Sequence, residues 1–338
     1  MILKVGPRPD PYFIPRQRFS IMNNAFLHPL IMLSAAIVGL IAGALFDCSD
    51  ASVLIEPFLM VMLFVVFMCV SIRDIGRSFS NRRFTLSAVL INFVWTPIFS
   101  IILGLAFAEI DIRIGLLMLL VTPCTDWYLV FTATAKGNVP LSSALLPLNL
   151  ILQIVLMPVY LVVFFDTQIS LDIPGLLYSM VIVLVIPLAA AIVVKALMPR
   201  ISFADRFGNA VTGNGDNLQL SFLCLAIVVM FASQSTELLD HLELFVMLLV
   251  PLIVFFIVNY IVSASVARIQ RFDYADTTSL IFTSMARNSP LSLAIAVAAF
   301  PDATLLLLVL VIAPLIELPI LSITAGYRLR IMERARRP

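Results

Sequence analysis

The chain has 338 residues, of which 62% are hydrophobic and 12% charged, whereas a soluble globular protein is roughly a quarter charged. Its 21 Lys+Arg against 20 Asp+Glu leave a formal charge of +1, so no basic surplus points to nucleic acid or an acidic partner. A water-soluble enzyme and a DNA-binding protein are excluded, and an all-α polytopic membrane protein is expected.

Residues 1–27 carry Lys4, Arg8, Arg16 and Arg18 among Pro7, Pro9, Pro11 and Pro15. No short apolar core with a small-residue cleavage site follows directly, so this stretch reads as a cytoplasmic tail. Ten apolar runs then predict spans near 28–46, 54–72, 84–107, 113–135, 139–165, 173–198, 217–235, 243–267, 277–300 and 303–325. A basic cytoplasmic tail, 326–338, closes the chain.

With the N-terminus inside, tails and inner loops hold 19 of the 21 basic residues, from Arg73, Arg77, Arg82 and Arg83 to Arg328, Arg330, Arg334, Arg336 and Arg337. Only Arg113 falls outside, so both termini are expected in the cytoplasm of a bacterial inner-membrane protein. The remaining one, Arg287, lies within span nine. Ten spans divide into repeats at 28–165 and 173–325, and five spans per repeat force opposite orientations, as in inverted-repeat secondary transporters. Pro97 and Pro251 mark the third span of each half, and Pro123 and Pro290 the fourth.

Those fourth spans combine proline with polar groups. Span four reads VTPCTDWYLVFT from Val121, and span nine TSMARNSPLSLAIA from Thr283. Pro123 cannot donate to the carbonyl of Leu119, nor Pro290 to that of Ala286, so orphan oxygens are expected at membrane depth. Two broken helices at matching places point to a midplane substrate site; the alternative is a packing kink whose hydroxyls bond back to the preceding turn.

Three ionisable residues fall within spans: Asp126, Arg287 and Glu317. Each costs at least roughly 2.5–3.5 kcal/mol at a helix centre unless paired or hydrated. Two carboxylates facing one guanidinium leave room for a bound proton, as a proton-coupled carrier needs; a structural salt bridge is the other reading. Cys124 sits in the first break, where its thiol is either a soft ligand for a metalloid or a small packing residue. The amides Asn92, Asn149, Gln153, Gln219 and Asn259 suggest interhelical hydrogen bonds. The four cysteines form no CxxC pair, His28 and His241 lie near span ends, and hydrolase and ATPase motifs are missing. No metal, cofactor or enzymatic activity is therefore expected.

At PCTDWYLVFTATAKGN (Pro123 to Asn138), RNSPLSLAIAVAAF (Arg287 to Phe300) and APLIELPI (Ala313 to Ile320), the chain resembles the arsenite permeases of the arsenical-resistance type. These belong to the superfamily of bile acid, arsenite and riboflavin transporters. The resemblance implies ten helices in two inverted five-helix repeats, crossing of the broken helices four and nine, and export of arsenite or antimonite in exchange for protons.

Carried over, the family's span-four cysteine is Cys124 and its span-ten glutamate is Glu317. Where the permeases commonly have a glutamate in span nine, this chain has Ser292. The sodium-coupled bile acid branch looks similar at Asn288 and Ser289, but its sodium-site glutamate falls near Thr283 and its glutamine on Arg287. The expected substrate contacts are Cys124, Thr125, Arg287, Asn288 and Ser289, with Asp126 and Glu317 as proton carriers. An organic anion carrier of the bile acid type, with or without sodium, is the alternative, with Arg287 as the binding charge.

Overall fold

A computed structural model describes residues 18–46, 48–69, 81–124, 128–165, 173–233, 235–240, 242–300 and 303–336. The helices are α1 (Arg18–Leu45), α2 (Ile55–Cys69), α3 (Arg82–Leu90), α4 (Thr96–Gly104), α5 (Ile110–Leu120), α6 (Tyr128–Thr134), α7 (Val139–Phe165) and α8 (Ile173–Leu197). There follow α9 (Ser202–Gly213), α10 (Gly215–Ser233), α11 (Ser235–Asp240), α12 (Leu242–Ile269), α13 (Tyr274–Met285), α14 (Ser289–Ala299) and α15 (Thr304–Arg336). Among the described residues the only bridge of β type is an isolated antiparallel pairing of Pro123 with Arg287.

Five stretches are long and apolar enough to cross a bilayer: Asp50–Cys69, Arg82–Gly104, Val139–Phe165, Val246–Ile269 and Thr304–Arg334. A sixth results if the bent pair of α9 and α10 counts as one span, and Leu30–Leu45 and Val185–Leu197 are shorter apolar helices. The chain is thus a multi-pass, nearly all-helical membrane protein. Their flanks are covered with exposed Leu, Ile, Val and Phe, which lipid accepts at no cost.

Several boundaries depart from the sequence reading. The first helix begins at Arg18, inside the expected tail; residues 1–17 lie outside the described set. The last runs on to Arg336, because YRLRIMERAR is made of good helix formers and Arg328 anchors it, its guanidinium donating to Thr278 Oγ1 at 2.9 Å and lying over the Tyr274 ring. The stretch after span six, read as a basic loop, forms amphipathic α9, with Phe203 and Phe207 exposed beside Asp205 and Arg206. Such a pattern suits a helix lying in the membrane interface.

Between α3 and α4 the chain widens into a π-turn over Ile91–Trp95. Pro97 explains it: its ring cannot donate to Phe93 O, so the ladder steps to Thr96 N–H on Ile91 O, and the Tyr160 hydroxyl takes Phe93 O at 2.6 Å. The wider turn re-aims Asn92 toward the centre of the molecule.

The helices pack in two groups. In one, α10 lies between α1 and α2, and α8 also packs on α2. The other gathers α3 to α7 with α12 to α15, centred on α5 against α15 and on α13 against α12. Helix α14 touches α2 and α8 across the boundary, and α1 touches α6 and α15. Residues Ile112 and Ile114 to Val121 of α5 are almost wholly buried, as are Leu306 to Ala313 of α15.

Candidate functional site

The breaks predicted in spans four and nine lie against each other. Helix α5 stops at Leu120 and α13 at Met285, and the non-helical strands beyond them run antiparallel. The N–H of Cys124 donates to Ala286 O at 3.0 Å, and the N–H of Asn288 to Thr122 O at 2.7 Å. Ala286 O is the carbonyl that Pro290 leaves without its helical donor, so one break supplies what the other lacks.

The remaining end carbonyls are also satisfied. Thr122 Oγ1 bonds back to Met118 O at 3.0 Å and Leu119 O at 2.9 Å, and it pairs with Ser292 Oγ at 2.7 Å. Ser292 Oγ in turn donates to Met118 O at 2.8 Å. On the α13 side Asn92 Nδ2 donates to Thr283 O at 3.2 Å and Asn259 Nδ2 to Ser284 O at 3.0 Å. Trp95 Nε1 donates to Asn259 Oδ1 at 3.0 Å, and Ser263 and Ser284 share a hydroxyl hydrogen bond.

Arg287, 3% exposed, completes the arrangement. Its Nη1 donates to Leu120 O at 2.8 Å, its Nε to Met285 O at 3.2 Å, and its Nη2 to Asn92 Oδ1 at 3.1 Å and to Ser284 O. The guanidinium carbon lies 5.2 Å from the Phe255 ring centroid. Four charge-assisted hydrogen bonds at roughly 1.5–3 kcal/mol each outweigh the roughly 2.5–3.5 kcal/mol that inserting a charge costs on the translocon scale. Glu317, equally buried on α15, meets Arg287 through the backbone: Oε1 accepts the Arg287 N–H at 2.9 Å.

Of the sequence-selected residues, Cys124, Arg287, Asn288, Ser289 and Glu317 lie at or beside this junction, all buried. Asn288 also caps α14, its Oδ1 accepting from Leu291 N–H at 3.2 Å. Thr125 and Asp126 lie outside the described residues. Tyr128 is a packing residue whose hydroxyl donates to Ser142 O at 2.6 Å.

Thr122 bonds back to the preceding turn as the packing alternative had it, whereas sequence reasoning missed the parts played by Ser292 and the π-turn. The hydroxyls flanking both prolines, and Pro97 five residues after Asn92, were the available signals. Asn92 and Asn259 make interhelical bonds, as amides in spans should, whereas Asn149 and Gln153, buried one turn apart on α7, have no hydrogen-bond partner for either amide among the described residues.

The AKGN segment has a structural role. Lys136 adopts φ 59° at the end of α6, where Gly137 N–H returns to Thr132 O at 2.8 Å. A Cβ on Gly137 would stand 2.7 Å from Thr132 Cγ2. Asn138 caps α7 through Leu141 N–H and donates from Nδ2 to Asp276 Oδ1 at 2.8 Å on α13. The two interrupted helix pairs, α5 with α6 and α13 with α14, are therefore locked together at this end as well.

A multi-pass helical protein whose paired helix breaks collect buried polar groups has the architecture of a secondary transporter. The chain belongs to the Sodium Bile acid symporter family, whose sequence profile matches residues 56–241. It is also similar to the Arsenical-resistance protein Acr3 of Corynebacterium glutamicum, 22% identical over 246 residues that cover 69% of this chain and 66% of that protein. The match thus spans just under two thirds of the relative's length.

Proposed function

We propose that the protein exports arsenite or antimonite across a bacterial inner membrane in exchange for protons. The observation that carries this reading is the junction of the two breaks, where buried Cys124, which is not disulfide-bonded, adjoins the peptide that Glu317 binds. A thiol suits a thiophilic metalloid, and a carboxyl group whose one hydrogen bond among the described residues is to the backbone can take up a proton without dismantling the junction. The Arsenical-resistance protein Acr3 supports the same substrate class. Asn288, Ser289, Thr125 and Arg287 complete the proposed substrate surroundings, and Asp126 is the second proposed proton carrier.

In this reading the chain crosses ten times as two inverted five-helix repeats, with both termini cytoplasmic. The broken spans are α5 with α6 and α13 with α14, and the group around α1, α2, α8 and α10 is the panel against which the rest moves. The positive-inside distribution and the antiparallel run of the breaks support that topology.

The test is arsenite accumulation in cells lacking their own exporter, comparing the protein with Cys124→Ser at two external pH values. Lowered accumulation that depends on Cys124 and on the proton gradient is expected. Unchanged accumulation, with the protein present in the membrane, would sink the assignment. The family match favours organic anion transport of the bile acid type as the second reading, and transport of such an anion independent of Cys124 would establish it.

A further inference from the structure

We infer that the Arg287 guanidinium is a tethered cation: it fills an oxygen cage that, without this side chain, binds a small free cation. Its hydrogen-bond acceptors are Leu120 O, Ser284 O, Met285 O and Asn92 Oδ1. Three of the four are carbonyls in the last turns of α5 and α13. Each helix C-terminus carries roughly half a negative charge, so two converge on one point that is closed to water. The face of Phe255 adds a further surface favourable to a cation.

Inward-pointing carbonyls of this kind replace the hydration shell of a monovalent cation in selective channels. Here the charge is part of the chain, so the junction of the broken helices needs no ion from solution. Sodium then has no place in the cycle at this point.

The same bonds argue against Arg287 as a clamp for an anionic substrate. Among the described residues four of its five N–H groups are committed to fixed acceptors, which leaves at most a single N–H on Nη1 and no parallel pair for a carboxylate or oxyanion.

The inference rests on the transporter reading only where transport is measured, so the deciding experiment is thermal unfolding of purified Arg287→Ala. Added guanidinium, well below denaturing concentrations, and sodium should each raise its melting temperature, restoring at least half of what the substitution loses. Choline at equal ionic strength should not, and the wild type should respond to none of them. A melting temperature equal to wild type, or one that no small cation raises, would overturn the inference.

Should the alanine variant fail to fold, Arg287→Lys and Arg287→Gln decide. A folded lysine variant beside an unfolded glutamine variant supports a required charge, and equal behaviour of the two overturns it. Proteoliposome transport adds a second arm, in which wild-type activity is unchanged when sodium is replaced by choline. Should Arg287→Ala melt like wild type yet lose substrate binding, Arg287 is a substrate anchor and the tethered cation is wrong, while the proposed transport stands.

Discussion

Cys124 and Glu317 hold opposite ends of one peptide group. The Cys124 N–H donates to Ala286 O, and the N–H of that same peptide, on Arg287, donates to Glu317 Oε1. Hydrogen bonds in such a chain polarise one another, so a change in the protonation of Glu317 is felt at the backbone of the proposed thiol ligand. Glu317→Gln keeps an oxygen acceptor for the Arg287 N–H and should fold normally, but transport should lose its dependence on the proton gradient. Glu317→Ala leaves a buried N–H without an acceptor and should cost about 1–3 kcal/mol of stability. Transport by the glutamine variant with unaltered pH dependence would remove Glu317 from the coupling scheme.

The hydroxyl pair of Thr122 and Ser292 joins α5 to α14. Ser292→Ala leaves Thr122 still bonded to Met118 O and Leu119 O, so a loss of about 1 kcal/mol is expected. Thr122→Val strips the hydroxyl from both carbonyls and should cost more, about 1–3 kcal/mol. Denaturation midpoints of the two variants in one detergent check the order, and a larger loss for Ser292→Ala would contradict it.

Gly39 and Gly43 let α1 approach α10 closely, in the small-xxx-small manner of membrane helices. A Cβ on Gly39 would stand 2.5 Å from Val228 O and 2.8 Å from Phe231 Cβ, and one on Gly43 would collide with Ala232 O. Gly39→Leu should destabilise by about 1–3 kcal/mol through overpacking. Gly326, with nothing within 4 Å of an added Cβ, is the control: Gly326→Ala should stabilise by about 0.5–1 kcal/mol. Equal effects on thermal unfolding would mean that α1 does not pack on α10 as described.

Asp276, in the first turn of α13 and just before the predicted ninth span, has its carboxyl held above the usual range. Burial is the main cause and Asp273 adds to it, against the Asn138 hydrogen bond that lowers it. The folded protein therefore binds this proton more tightly than the unfolded chain. The group's contribution is full below the unfolded carboxylate value and is lost as pH rises through the raised folded value. Asp276→Asn, whose amide oxygen can still accept from Asn138, should melt higher than wild type at neutral pH, and the gap should close on acidification. A gap that is constant with pH would show that Asp276 does not titrate differently on folding.

The helix breaks were legible because their signal is local. Proline beside polar residues inside an apolar run can be read within a dozen positions, as at Pro123 and Pro290, and a lone Arg287 or Glu317 stands out against its neighbours. The amphipathic α9 was lost among basic loop residues, and the π-turn at Asn92 hid because a single proline within a span is ordinary.

By itself the sequence determined that the chain is a multi-pass helical membrane protein, where its helices break, and which charges must be sheltered, since lipid enforces hydropathy and backbone pairing residue by residue. Only the tertiary structure decided which partners those groups take. Arg287 reaches Leu120 and Asn92 across 167 and 195 positions of chain, and its N–H finds Glu317 across 30. No periodic pattern encodes contacts at such separations. They follow from two half-helix ends brought together by packing, where every unpaired carbonyl must find a donor and the buried Arg287 guanidinium has several to give.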